Sequence, residues 1–134
     1  MSDTGIVVVR HLLNTGLTSF ALTPPSSAGG NWTYAMLKDF GGNHPDQPLI
    51  LRGSKLYGAI ATAQGGAVFE LQPPAISGVA WTATFLHNFT NAQAPGAAIV
   101  GGALVMDKSG VIYGATQDVN AQPPNGTVYR IATK

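Results

Sequence analysis

A chain of 134 residues without a cysteine must draw its chemistry from histidine, carboxylate, hydroxyl and aromatic side chains. Thiolate nucleophiles, disulfides and zinc–thiolate sites are excluded. His11, His44 and His87 stand far apart, with no His-x-x-x-His pair and no carboxylate at ligand spacing, so no metal site is read from them. His87 falls inside a strand-like run, where a structural hydrogen bond is expected. Asp107-Lys108-Ser109-Gly110 offers oxygen atoms, yet one carboxylate is too few for an EF-type calcium loop, and a type I turn closed by Gly110 is expected instead. Acid–base catalysis would fall to Glu70, Asp107 or Asp118, with Tyr57 and Tyr113 as candidate partners. No Gly-x-Ser-x-Gly elbow supports a serine nucleophile, and Gly65-Gly66 and Gly101-Gly102 precede strands instead of opening phosphate-binding helices. The remaining set is aromatic: Trp32, Trp81, Tyr57 and Tyr113, joined by Gln64 and Gln117, could stack on and hydrogen-bond a sugar ring or other small ligand. The competing reading of these aromatics is the wedge that fills the space between sheets.

The elements that must position these side chains are strands. Apolar residues do not recur at helical spacing over any long window, whereas short β-rich runs alternate with Gly, Pro, Asn and Ser clusters. Ten strands are predicted: Ile6 to Leu13, Ser19 to Leu22, Trp32 to Phe40, Pro48 to Leu51, Lys55 to Ala61, Ala67 to Leu71, Trp81 to Phe89, Gly102 to Met106, Val111 to Thr116 and Thr127 to Ala132. The residues from Ala92 to Ala98 are read as a breaker, and Asn125-Gly126 as the strongest hairpin turn, since both residues tolerate positive φ.

The chain repeats itself. Ser19-Phe20-Ala21-Leu22-Thr23-Pro24-Pro25 matches Val68-Phe69-Glu70-Leu71-Gln72-Pro73-Pro74, and Trp32, Leu37 and Phe40 match Trp81, Leu86 and Phe89 at the same spacing. Leu56-Tyr57-Gly58-Ala59 then matches Ile112-Tyr113-Gly114-Ala115, and Thr127-Val128-Tyr129-Arg130-Ile131 opens a further copy. One all-β domain, 1–134, follows, with repeats at about 19–66 and 67–126 and partial units at 5–18 and 127–134. Glu70 aligns with Ala21 and Arg130, which predicts a solvated strand position for it. Apolar residues on both faces of the Trp32 and Trp81 strands predict antiparallel, four-stranded, blade-like sheets stacked face to face in a propeller-like array. Phe20, Leu22, Trp32, Leu37, Phe40, Tyr57, Phe69, Leu71, Trp81, Leu86, Phe89, Tyr113 and Tyr129 are then expected in the core.

These units resemble the GloVer repeat of bacterial cell-surface proteins. The resemblance rests on Gly66-Ala67-Val68-Phe69-Glu70-Leu71, Leu86-His87-Asn88-Phe89, Gly102-Ala103-Leu104-Val105, Asp107 to Thr116 and the terminal Gly126-Thr127-Val128-Tyr129-Arg130-Ile131. It implies a tandem-repeat module of cell-surface or secreted proteins and supplies no catalytic residues. The first copy departs from it, with Arg52-Gly53-Ser54 in place of the Asp-x-x-Gly turn.

Composition narrows the function classes. With 7 Lys and Arg, 6 Asp and Glu and a net charge of +1, only 10% of residues are charged, against roughly 25% in an ordinary soluble domain. Neither nucleic acid nor an anionic membrane surface is an expected partner. The apolar runs are far shorter than the ~20 residues of a membrane helix, and Met1-Ser2-Asp3-Thr4 has no basic, signal-like start, which leaves localisation open. Two functions stand: a binding or structural β-repeat module that takes a carbohydrate or other small ligand, or a small oligomeric enzyme, a lyase or hydrolase, with its site between blades or subunits. No cofactor is expected. About two and a half units cannot close a propeller of four to eight blades, so a homo-oligomer is expected, a trimer by this count.

Overall fold

The computed structural model describes residues 7–13, 16–41, 48–62, 65–76, 79–89, 97–98, 103–118 and 125–133. Among them there are eleven strands and no helix: β1 (Val7–Leu13), β2 (Gly16–Thr23), β3 (Thr33–Asp39), β4 (Ile50–Arg52), β5 (Lys55–Ile60), β6 (Gly66–Gln72), β7 (Thr82–Phe89), β8 (Ala97–Ala98), β9 (Val105–Met106), β10 (Val111–Asp118) and β11 (Asn125–Ala132). The fold is all-β, and every pairing is antiparallel. Each of the ten predicted runs holds a strand. The eleventh, β8, lies in the stretch read as a breaker, and the run from Gly102 shrinks to Val105–Met106.

Three sheets result, ordered β1-β2-β3, β4-β5-β6-β7, and β11-β10-β8 with β9 also on β10; none is closed on itself. The first two share a local geometry. β2 and β3 slip register between Ser19 and Phe20, and β6 and β7 slip between Val68 and Phe69, 49 residues further along. β4 and β5 turn on Gly53-Ser54, where Gly53 supplies the positive φ of 60° that a two-residue hairpin demands. Asn125-Gly126 is not a turn: both residues are inside β11, opposite Asp118 and Gln117, and residues 119–124 connecting them lie outside the described residues. The pairing ladder overrides the local turn preference there, because each added rung satisfies backbone groups that a turn would leave to water.

The central sheet is packed on both faces. Leu56, Ile60, Ala67, Phe69 and Leu71 meet Ala21, Leu37 and Phe40 of the first sheet in one core. Their strand neighbours Tyr57, Ala59 and Val68, with Phe89, meet Leu104 and Ile112 of the last sheet in a second core. Alternation along a strand sends successive side chains to opposite faces, so these apolar runs serve two cores at once. Gly58 lies opposite Phe69 and Gly114 opposite Tyr129. The missing side chain leaves room for the facing ring: a Cβ on Gly58 would stand 2.6 Å from Phe69 Cζ, and one on Gly114 would collide with the Tyr129 hydroxyl. In both Tyr57-Gly58 and Tyr113-Gly114 the glycine therefore makes room for a ring on the facing strand.

Two residues of the expected core are exposed, Trp32 at 56% and Tyr113 at 38%, and the strand faces read as covered on both sides are open at Tyr34 (53%), Met36 (55%) and Phe85 (48%). Trp32 precedes β3 at the rim of the first sheet; Tyr34 and Met36 point away from the central sheet, as Tyr113 does from the opposite end of the stack. Leu22, Trp81, Leu86 and Tyr129 are half-buried instead of fully enclosed. Burial on both faces therefore holds for β5 and β6 in the middle of the stack and fails at its ends.

Candidate functional site

A cleft of about 500 Å³ is lined by Ala35, Met36 and Leu37 of β3 and by Pro74, Val79, Ala80 and Trp81 of the segment that joins β6 to β7. Three consecutive β3 residues line it, of which Leu37 turns into the core and Met36 to the opposite, open face, so the cleft runs along the strand and not against one face of it. Pro73-Pro74 stops β6, and the chain returns through Val79 and Ala80 to Trp81, whose indole packs against the first core and so is held in place. β3 pairs with β2 alone among the described strands, so its outer backbone edge adds donors and acceptors to an otherwise apolar surface. A volume of this size is within the range of small-ligand sites.

A second cluster lies in the seam between the central and last sheets. Lys55 and Tyr57, two apart on β5, share a face, and Tyr57 is opposite Glu70. Lys55 Nζ is 2.8 Å from Glu70 Oε1, and the Tyr57 hydroxyl donates to the same carboxylate and also contacts Thr133. Glu70 is therefore buried, not solvated as its alignment with Ala21 and Arg130 implied; the Lys55 and Tyr57 partners offset the cost of taking a carboxylate from water. Burial pushes the Tyr57 phenol up, with the Glu70 hydrogen bond adding to the shift, and that same carboxylate raises the Lys55 ammonium. Lys55 and Thr133 escaped the sequence reading, although Lys55's spacing from Tyr57 was a visible signal.

The Asp107 turn is a hydrogen-bond hub. Gly110 N–H donates to the Asp107 carbonyl at 3.1 Å, closing the expected turn. Asp107 Oδ1 accepts from Ser109 Oγ (2.6 Å), Ser109 N (2.9 Å) and Val111 N (2.9 Å), and Oδ2 accepts from the Tyr113 hydroxyl (3.2 Å). Led by the Ser109 hydroxyl and the Val111 amide, these donors lower the carboxyl to about 2. Arg52 joins the turn across the sheets, donating to the Lys108 carbonyl at 3.0 Å, and Thr133 Oγ1 donates to the Gly110 carbonyl at 2.7 Å. Because the folded value lies below that of a free Asp near 3.9, the carboxylate adds stability that is full above about pH 4 and lost as pH falls through about 2. An NMR titration should show the Asp107 carboxyl shift moving only near pH 2, and Asp107→Asn should flatten the pH dependence of stability in that window.

The other predicted site residues do not converge. Trp81 lines the cleft, Tyr57 and Glu70 sit in the seam, and Tyr113 is bound to Asp107. Trp32 stands exposed at the rim of the first sheet. Gln117 and Asp118 end β10, opposite Gly126 and Asn125, and Gln64 lies outside the described residues, as does His44. His87 meets Phe89 edge-on at 4.6 Å. Among the described residues no three histidines or carboxylates approach closely enough to hold a metal, and no helix is long and apolar enough to cross a membrane.

Tyr129 marks the opposite extreme. Its ring packs 4.7 Å from that of Phe89, and among the described residues its buried hydroxyl meets no hydrogen-bond partner; burial pushes the phenol up to about 12. Tyr129→Phe removes the unsatisfied group and keeps the ring, so it should raise the thermal midpoint, by about 1 kcal/mol of stability. No family model, curated protein or solved structure matches this chain.

Proposed function

We propose that this chain is a binding module of blade-like, GloVer-type β-repeats, and that its cleft takes a carbohydrate or a similar small polyhydroxylated ligand. The observation that carries the reading is Trp81: its indole is fixed by the core on one side, lines the cleft on the other, and sits across from the open backbone edge of β3. A flat apolar surface beside backbone donors and acceptors suits a sugar ring, which has an apolar face and hydroxyls around its rim. The enzyme alternative finds less support. Glu70, a buried carboxylate, is already engaged by Lys55 and Tyr57 and lies away from the cleft.

The same reading takes the three stacked sheets as consecutive blades of a propeller-like ring completed by further copies. The covering of the central sheet on both faces supports it. With three sheets in each chain, two copies supply six, within the usual four to eight, so the sheet count favours a dimer where the repeat count favoured a trimer.

Titration with neutral oligosaccharides, followed by tryptophan fluorescence and calorimetry, tests the ligand. Saturable binding should disappear in Trp81→Ala and persist in Trp32→Ala. Binding unaffected by Trp81→Ala, or none across a broad glycan panel, would defeat the proposal.

A further inference from the structure

We propose that the outer face of the last sheet is a docking surface for a second copy of this chain, and that it receives the outer face of that copy's first sheet, head to tail. This rests on the stacked-blade reading and is independent of the ligand cleft.

The argument runs through corresponding residues. Within the chain, Tyr57, Ala59 and Val68 project from the central sheet onto the last sheet and are 3%, 1% and 0% exposed. Their sequence counterparts one sheet further along are Tyr113, Ala115 and Val128. Tyr113 and Ala115 alternate with the buried Ile112 and Thr116 on β10, and Val128 lies directly across from Ala115, so the three share the outer face. Val105, across from Tyr113 on β9, joins them. All are exposed: Val128 81%, Val105 62% and Tyr113 38%. A side-chain set that is covered completely in the middle of the stack is thus repeated, uncovered, at its end. Of the charged residues near this face, Arg130, opposite Tyr113, has a long stem that allows the guanidinium to reach the rim, and Asp107 is held in its turn and by the Tyr113 hydroxyl.

The other end of the stack presents the matching half. Phe69, Leu71 and Ala83 project from the central sheet toward the first sheet. Their counterparts Phe20, Leu22 and Tyr34 face away from it, with Leu22 opposite Tyr34 and the Phe20 and Tyr34 rings 5.1 Å apart. Tyr34 is 53% exposed and Met36, opposite Phe20, 55%, whereas Phe20 is 6% exposed and Leu22 half-buried, so Tyr34 and Met36 form the open part of this face. Joining last sheet to first sheet therefore continues the stack through the contacts already used twice inside the chain. Joining last sheet to last sheet would oppose two faces of the same kind, for which the molecule shows no precedent. Because the two surfaces differ, the contact is heterologous and propagates until a ring closes.

Light scattering and sedimentation of the full chain at micromolar concentration test this with one substitution on each face, Val128→Arg and Tyr34→Arg. The wild type should exceed the monomer mass, and each variant alone should be monomeric while retaining its β-sheet circular dichroism. An equimolar mixture should recover a two-chain species, because each variant keeps the face that the other lacks. Val105→Arg replaces Val128→Arg if the latter loses its sheet signal. A monomeric wild type, a Tyr34→Arg variant that still associates, or a mixture that remains monomeric would each overturn the proposal. Loss of oligosaccharide binding with association intact would strike the ligand reading and leave this one standing.

Discussion

Phe69→Ala is expected to destabilise the protein by about 3–5 kcal/mol, the usual range for truncating an enclosed phenylalanine. Phe69 is fully buried, its ring is 4.6 Å from Phe40, and it lies over Gly58 on the adjacent strand. It ties the first sheet to the central one, so its removal opens a cavity against residues of both. Collapse to fill that space is hindered because Gly58 has no side chain to move in and Leu56, Ile60 and Leu71 are anchored in paired strands. A urea titration reads the effect as a lowered midpoint. Phe69→Leu, which retains much of the volume, should recover a substantial part of the loss. An unchanged midpoint in Phe69→Ala would show that the two sheets do not share this core.

Gly58→Ala is the second large effect, and it acts by the opposite mechanism. The added methyl would meet Phe69 at 2.6 Å and 3.1 Å and collide with the end of the Leu49 side chain, in a core with no slack. Overpacking of this kind costs ~1–3 kcal/mol. The φ of Gly58 is not in the left-handed region, so the penalty is one of space and not of backbone conformation. That distinction makes the prediction specific: combined with Phe69→Leu, Gly58→Ala should cost less than it does alone, since the smaller side chain vacates the contact. Double-mutant analysis of urea midpoints checks the coupling. Additive losses would mean that the glycine is there for a reason other than the facing ring.

Strand positions, the antiparallel order and the turns at Gly53-Ser54 and Asp107–Gly110 were legible because each depends on local chemistry: β-branched and aromatic runs, glycines at positive φ, and an aspartate that caps its own turn. Asn125-Gly126 misled because a local turn preference is weak beside a continuous ladder. Glu70 misled for a related reason. Its alignment with Ala21 and Arg130 described the position along the strand and not what lies across the seam, where Lys55, Tyr57 and Thr133 meet. The cleft was only half visible: Trp81 was singled out from its type, but Met36 and Ala35 come from a strand more than 40 residues away.

By itself, then, the sequence determined an all-β chain of short antiparallel strands, since the two-residue alternation of side chains and the distribution of turn formers are properties of neighbours along the chain. It also aligned residues of one segment with those of another, as Val68 with Val128. Only the tertiary structure decided which corresponding residues are buried. Val68 and Val128 have the same residue type and equivalent places in β6 and β11, yet one is enclosed and the other is 81% exposed. The physical reason is that a strand's chemistry specifies two apolar faces, whereas burial depends on whether another sheet is stacked on each of them.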